Sequence, residues 1–276
     1  MSRAVGAPRR IDIGDLAYRV WDAAALTGEL PTIVLVHGIG VSHRYLARLH
    51  EELRRRASGR FAVVSVDLPG HAGLPKPRAD ADVSRIATGL DAALAACGAG
   101  PLVLVGHSMG AQWVTELAVR RGGRDVTAVV LMGPVSDEAH RSHGAQAVAL
   151  AVDTLRERLR TNAIVFADYV RCGVRWYLTQ SRHMVAYPIE ERVARLELPV
   201  LVMRGERDPI AGESWCRRLA AATRRARLAV VPGGAHVVQD SAPEAVADRL
   251  LDFAIAAGLP NLCAPRAAPG ARGAHA

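Results

Sequence analysis

From residue 10 to about residue 257 the chain alternates short, unbroken apolar runs with stretches of helical periodicity, and few folds accept that order. The runs are TIVLVH at 32–37, FAVVSVD at 61–67, PLVLVG at 101–106, VTAVVLM at 126–132, PVLVMRG at 199–205 and RLAVVP at 227–232. They are rich in β-branched residues and lack polar alternation, as expected of strands buried on both faces of a parallel sheet. Helical patterns occupy 43–57, 82–97, 110–121, 213–223 and 243–257; in the third, Val114, Leu117 and Ala118 recur at i, i+3 and i+4. Parallel strands need crossovers, and helices on both faces supply them. The expected fold is therefore α/β, a doubly wound and mostly parallel sheet. Ahead of the first run, IDI, a Gly14-Asp15 turn and LAYRVWD read as an antiparallel hairpin.

One connection breaks the rhythm. About 60 residues separate the run ending at Met132 from the one starting at Pro199, more than a helix and two turns need. Val148, Val152, Leu155 and Leu159 mark one amphipathic helix there, and Phe166, Val170, Val174 and Tyr177 a second. The expected organisation is an α/β core over 1–136 and 196–260, a helical cap over 137–195, and a low-complexity, disordered tail over 261–276. The cap holds five of the twelve aromatic residues: Phe166, Tyr169, Trp176, Tyr177 and Tyr187. Most of them read as the cap's own small core, although an apolar lid over a sheet edge also makes a dry pocket.

Composition removes several classes of function. The net charge is +8, yet Lys76 is the only lysine among 35 basic residues, and the arginines are dispersed among acids. No zinc-finger spacing or aromatic RNA-binding signature accompanies them, so they read as solvated helix faces and no nucleic-acid partner is expected. No apolar stretch reaches the length of a membrane span. The start, MSRAVGAPRRIDIG, has no apolar h-region, and Cys97, Cys172, Cys216 and Cys263 stand apart without metal-ligand spacing. The expectation is a cytoplasmic chain with reduced thiols, no metal and no cofactor.

The chemistry centres on GHSMG at 106–110, directly after the run PLVLV. The pentapeptide alone is a weak signal, but its position between a strand and a helix is specific. A strand that turns at once into a helix strains the middle residue of the turn, and glycines two positions either side leave room for strand and helix to approach. Ser108 would then project above the carboxyl ends of the strands, where such sheets bind ligands. A serine hydroxyl is a weak nucleophile unless a base takes its proton and an acid orients that base. Asp208 follows the run PVLVMRG and His236 follows RLAVVP, so both partners fall at later strand ends. Asp137 and Glu138, after the preceding strand, are the alternative acids. An oxyanion hole needs two backbone donors, and Met109 after the nucleophile and Ile39 in His37-Gly38-Ile39-Gly40 are placed for it. His107 is expected to point away from the nucleophile and support packing. His183 reads as a surface or cap-packing residue ahead of one that reaches the site from the cap, and Arg182 is a candidate for a substrate carboxylate.

LVHGIG, DLPGHAG, LVGHSMGA, RGERDPI and GGAHVVQDSAPE resemble, in order and spacing, the landmarks of the α/β-hydrolase superfamily, in its esterase, C–C hydrolase and haloperoxidase-like group. The resemblance covers about residues 10–257. It implies a triad of Ser108, Asp208 and His236, with Ile39 and Met109 as oxyanion donors and Gly38 beside them in the substrate-binding set. Serine at the nucleophile position argues against members that use aspartate. The chain departs from the usual G-x-G-x-S after the fourth strand, reading GHAGLPKP at 70–77. The expected activity is hydrolysis of an ester, thioester or related acyl bond of a small, largely apolar substrate. C–C cleavage, lyase or cyclase chemistry, and a ligand-binding receptor retaining the fold, are the alternatives. The oligomeric state stays open.

Overall fold

Apolar runs rich in β-branched side chains pair as strands with both faces covered. The computed structural model describes residues 6–57, 59–137 and 157–259. The strands are β1 (Arg9–Ile13), β2 (Leu16–Trp21), β3 (Thr32–Val36), β4 (Ala62–Asp67), β5 (Leu102–His107), β6 (Val126–Met132), β7 (Val200–Gly205) and β8 (Ala226–Val231). They form one sheet in the order β1-β2-β4-β3-β5-β6-β7-β8. β1 and β2 are the expected antiparallel hairpin, β2 runs antiparallel to β4, and every later pairing is parallel.

The core helices are α1 (Ala47–Ala57), α2 (Val83–Ala96) and α3 (Gly110–Arg121). Successive strand residues feed opposite layers. Val34, Val36, Val64, Val66, Leu102 and Leu104 pack with Ile86, Leu90 and Val114 of α2 and α3. Ile33, Leu35, Val63, Val103 and Val105 meet Leu49 and Leu53 of α1 on the other face. α3 is buried at every position from Gly110 to Ala118, so it is a central helix and more enclosed than its i, i+3, i+4 pattern implies. β8 differs from expectation: only Val231 of its residues is buried, because it is the edge strand and has one neighbour.

Three described helices lie between β6 and β7: α4 (Leu159–Cys172), α5 (Val174–Ala186) and α6 (Ile189–Val193). The helix expected at Val148, Val152 and Leu155 falls outside the described residues, as does the tail. The stripe expected from Phe166 to Tyr177 is divided between α4 and α5, which are separated at Gly173 with φ of +77°. Phe166 is 71% exposed, and Val170 and Val174 also face outward. Buried Cys172, Trp176, Met184, Ile189 and Val193 join these helices to the core, and polar contacts add to them: Asp168 accepts from Ser42 Oγ at 2.5 Å and pairs with Arg44 at 2.9 Å. Tyr187 and Arg192 both reach the buried Glu116 of α3, at 3.0 and 2.9 Å. The chain closes with α7 (Glu213–Ala221), α8 (Val238–Ser241) and α9 (Pro243–Ala256).

Candidate active site

β3 lies at the centre with β4 on one side and β5 on the other, so the strand order reverses there and leaves a crevice beyond the carboxyl ends of β3 and β5. The last paired residues of that ladder are Val36 and Gly106. Two residues further on, Gly38 and Ser108 stand face to face: a Cβ on Gly38 would lie 2.9 Å from Ser108 Cβ and 3.3 Å from its Oγ.

Ser108 has φ of +56°, an unfavourable conformation for a side chain with a Cβ. Close packing imposes it. A Cβ on Gly106 would lie 2.6 Å from Ala111 N, and one on Gly110 2.5 Å from the Val36 carbonyl oxygen, so neither position admits a larger residue. Ser108 N–H donates to Met132 O at 2.9 Å, which anchors the turn to β6. Met109 opens α3, where the first N–H groups have no partner within the helix.

The second expected donor is oriented by a histidine side chain. His37 Nε2 accepts from Leu68 N–H at 3.0 Å, so its Nδ1 carries the proton and donates to Gly38 O at 2.7 Å. The Gly38 carbonyl and the Ile39 N–H belong to one trans peptide and point in opposite directions. Holding the carbonyl therefore fixes where the Ile39 N–H points.

Asp208 and His236 are in contact. His236 Nδ1 donates to Asp208 Oδ2 at 2.9 Å, and Asp208 Oδ1 accepts from Ile210 and Ala211 N–H at 2.8 and 2.9 Å. Burial raises the affinity of this carboxyl for its proton, but the imidazole and the two backbone donors outweigh burial and hold it below the usual carboxylate range. Arg204 of β7, itself buried, donates to the carbonyls of Ala211 and Asp208 at 2.6 and 3.1 Å and so braces the acid's turn. His236 is 5% and Ser108 9% exposed. The ring of His107, next to Ser108, packs 4.6 Å centroid to centroid from that of His236, so the serine and the Asp–His pair share one end of the sheet.

The alternative acid is engaged elsewhere: Asp137 pairs with Arg218 of α7 at 2.5 Å, and Glu138 lies outside the described residues. Arg182 and His183 both turn to Asp80, at 3.6 and 2.9 Å. Aromatic residues of the insertion cover the neighbouring turns. Tyr169 and Tyr177 meet edge to face, with ring centroids 5.3 Å apart, against Gly40, and the Trp176 indole stands against Gly70. Sequence reasoning missed His37 and Arg204 as braces, because nothing in their spacing reveals a contact to a backbone carbonyl. Among the described residues no group of three or more His, Cys, Asp or Glu gathers as a metal site, and no helix is long and apolar enough to cross a membrane.

The chain belongs to the alpha/beta hydrolase family, whose model matches residues 33–249. It is 36% identical over 88 residues to an uncharacterized protein of Mycobacterium tuberculosis, a match covering 32% of this chain and 25% of that one. Over 281 residues it is 22% identical to a 2-(acetamidomethylene)succinate hydrolase of Mesorhizobium japonicum, covering 89% of this chain and 94% of the relative. A thermophilic esterase of Thermogutta terrifontis superposes with a TM-score of 0.71 at 18% identity, over 90% of this chain and 99% of the esterase. At that identity the likeness is one of fold.

Proposed function

We propose that the protein is a serine hydrolase that cleaves an ester, thioester or related acyl bond of a small, largely apolar substrate through an acyl-enzyme. The observation that carries this reading is the buried Asp208–His236 hydrogen bond at 2.9 Å, set beside a serine at φ of +56°. Holding a strained serine and an oriented imidazole at one end of the sheet has a use in nucleophilic catalysis and none in packing alone.

In this reading His236 takes the Ser108 proton as Oγ attacks the substrate carbonyl. Asp208 keeps the proton on Nδ1, leaving Nε2 free as the base, and stabilises the imidazolium that forms. The developing oxyanion is held by the Ile39 and Met109 N–H groups, with Gly38 leaving space beside Oγ. His236 protonates the leaving group and then activates the water that releases the acid, so the cycle needs no cofactor. The α4–α6 insertion serves as a cap. Ile39 and Met109, beside the nucleophile, are buried in the same apolar layer as Trp176 of the insertion, and apolar surroundings of this kind support an apolar acyl group. The esterase and hydrolase relatives support the same class of chemistry.

Purified protein with p-nitrophenyl acetate, p-nitrophenyl butyrate and an acyl thioester tests the proposal. Multiple-turnover hydrolysis that Ser108→Ala abolishes supports it. Binding without turnover indicates a receptor, and turnover only on a 1,3-diketone would indicate C–C cleavage.

A further inference from the structure

Three segments must hold station for the proposed chemistry, and the sheet holds one of them. β5 pairs with β6 as far as His107 and Met132, and Ser108 N–H donates to Met132 O, whereas the oxyanion turn and the His236 loop lie past the ends of their ladders. The β3–β5 ladder ends at Val36 and Gly106, and the β7–β8 ladder ends at Gly205 and Val231, five positions before His236. Beyond those ends a continuous side-chain relay crosses from one segment to the next. Gly38 N–H donates to Tyr45 Oη at 2.7 Å, Tyr45 Oη lies 2.7 Å from His107 Nδ1, and His107 Nε2 lies 2.9 Å from the His236 carbonyl oxygen.

The proton positions follow from what each partner can do. A carbonyl only accepts, so Nε2 of His107 carries the proton and donates to His236 O. Nδ1 is then bare and accepts from the Tyr45 hydroxyl, whose oxygen accepts from Gly38. Tyr45 Oη accepts once and donates once, and all three bonds donate in the same direction. Tyr45 and His107 are 2% and 1% exposed, and Tyr45 belongs to a buried apolar cluster with Val41, Leu46, Met203 and Val237. Burial holds His107 neutral, at about 3, and pushes the Tyr45 hydroxyl well above its usual value, so the direction of the relay does not change over the range in which His236 would work.

We propose that Tyr45 and His107 are positioning residues that lock the oxyanion turn at Gly38–Ile39 to the loop carrying His236, so that donor and base keep one geometry about Ser108. The inference rests on the assignment of Ser108 and His236 above. Neither side chain touches substrate. Their loss would let the Gly38 end of the turn and the His236 backbone shift independently, which affects the transition state more than substrate binding.

The test is turnover per active site, with sites counted by stoichiometric fluorophosphonate labelling, for Tyr45→Phe, His107→Gln and the double variant. Phenylalanine removes the hydroxyl. The glutamine NH2 can still donate to His236 O, but its only acceptor, Oε1, is carried one bond further from Cβ than Nδ1 and so is displaced from the Tyr45 hydroxyl. Each single variant is expected to lower kcat per labelled site on the order of tenfold with KM within about twofold. The double variant is expected to be no worse than the poorer single, because both break the same contact. A packing role alone would lower melting temperature or the labelled fraction and leave turnover per labelled site unchanged; that result, or additive losses in the double, overturns the proposal. Failure of the other kind is separate: a wild-type chain that takes up no label at Ser108 removes the catalytic assignment itself, and the positioning role with it.

Discussion

Replacing Asp208 by asparagine changes one atom and should disable the protein while leaving it folded. The carboxylate Oδ1 receives two N–H groups, from Ile210 and Ala211 at 2.8 and 2.9 Å. Asparagine can turn either end toward them. With its NH2 facing those two donors, both would be buried and unpaired, at about 1–3 kcal/mol each. The amide oxygen therefore stays on the loop, and the NH2 faces His236 Nδ1, where Asp208 Oδ2 now accepts at 2.9 Å. Two donors cannot bond, so Nδ1 must present its lone pair and the proton moves to Nε2, the nitrogen that has to be free to act as base. Loss of the correct tautomer should lower turnover on the order of 10⁴, equivalent to about 5.4 kcal/mol of transition-state stabilisation. KM should change little, because neither oxygen faces substrate. Steady-state kinetics on a p-nitrophenyl ester reads both parameters, with Asp137→Asn as the control. Asp137 is paired with Arg218, and its loss should cost less than about tenfold. An Asp208→Asn variant within tenfold of wild type, beside a crippled Asp137→Asn, would refute the reasoning and move the acid to the end of β6.

Gly106→Ala should impair folding and chemistry together: its Cβ would stand 2.6 Å from Ala111 N, against ordinary contact at about 3.4 Å, so the start of α3 must move. Overpacking of this kind costs about 1–3 kcal/mol in urea unfolding, and a comparable shift at Ser108 should lower kcat on the order of a hundredfold; an unchanged urea midpoint and kcat would be contrary results. Stability should also depend on pH through buried neutral histidines. Burial lowers His37 to about 4 and His71 and His107 to about 3, whereas in the unfolded chain they titrate near 6.5. The unfolded state therefore takes up protons that the folded state refuses. Stability is full above pH 6.5 and falls below it, by up to about 1.4 kcal/mol per pH unit for each; equal urea midpoints at pH 7.5 and 5.5 would contradict this. Trp176→Phe should alter the kcat/KM ratio between short and long acyl esters by about tenfold, whereas Tyr187→Phe, which loses the bond to Glu116, should lower stability by about 1 kcal/mol and leave that ratio unchanged. A preference that follows Tyr187 instead of Trp176 would reverse the assignment of the cap face.

The strands and core helices are legible in the sequence because burial on both faces of a parallel sheet leaves unbroken apolar runs, and Ser108, Asp208 and His236 are legible because each stands just past one of them. Their supports are not. Tyr45 meets His107 across 62 residues, and Arg204 donates only to backbone carbonyls, so neither leaves a motif. The insertion misleads for a different reason. Phe166, Val170, Val174 and Tyr177 fall at intervals of three and four as a buried helical stripe would, but Gly173 divides them between two helices. Phe166, Val170 and Val174 then face solvent, while Trp176, Met184, Ile189 and Val193 bury in the core and polar anchors such as Asp168 and Glu116 add to the seating.

The most direct test of the central claim is the mass of the protein during turnover. Wild-type chain mixed with excess p-nitrophenyl acetate, quenched in acid within milliseconds and analysed by peptide mass spectrometry should carry one acetyl group, on the peptide containing Ser108. The adduct should vanish in Ser108→Ala. Rapid ester cleavage with no covalent adduct, or an adduct on another residue that persists in Ser108→Ala, would contradict an acyl-enzyme at Ser108.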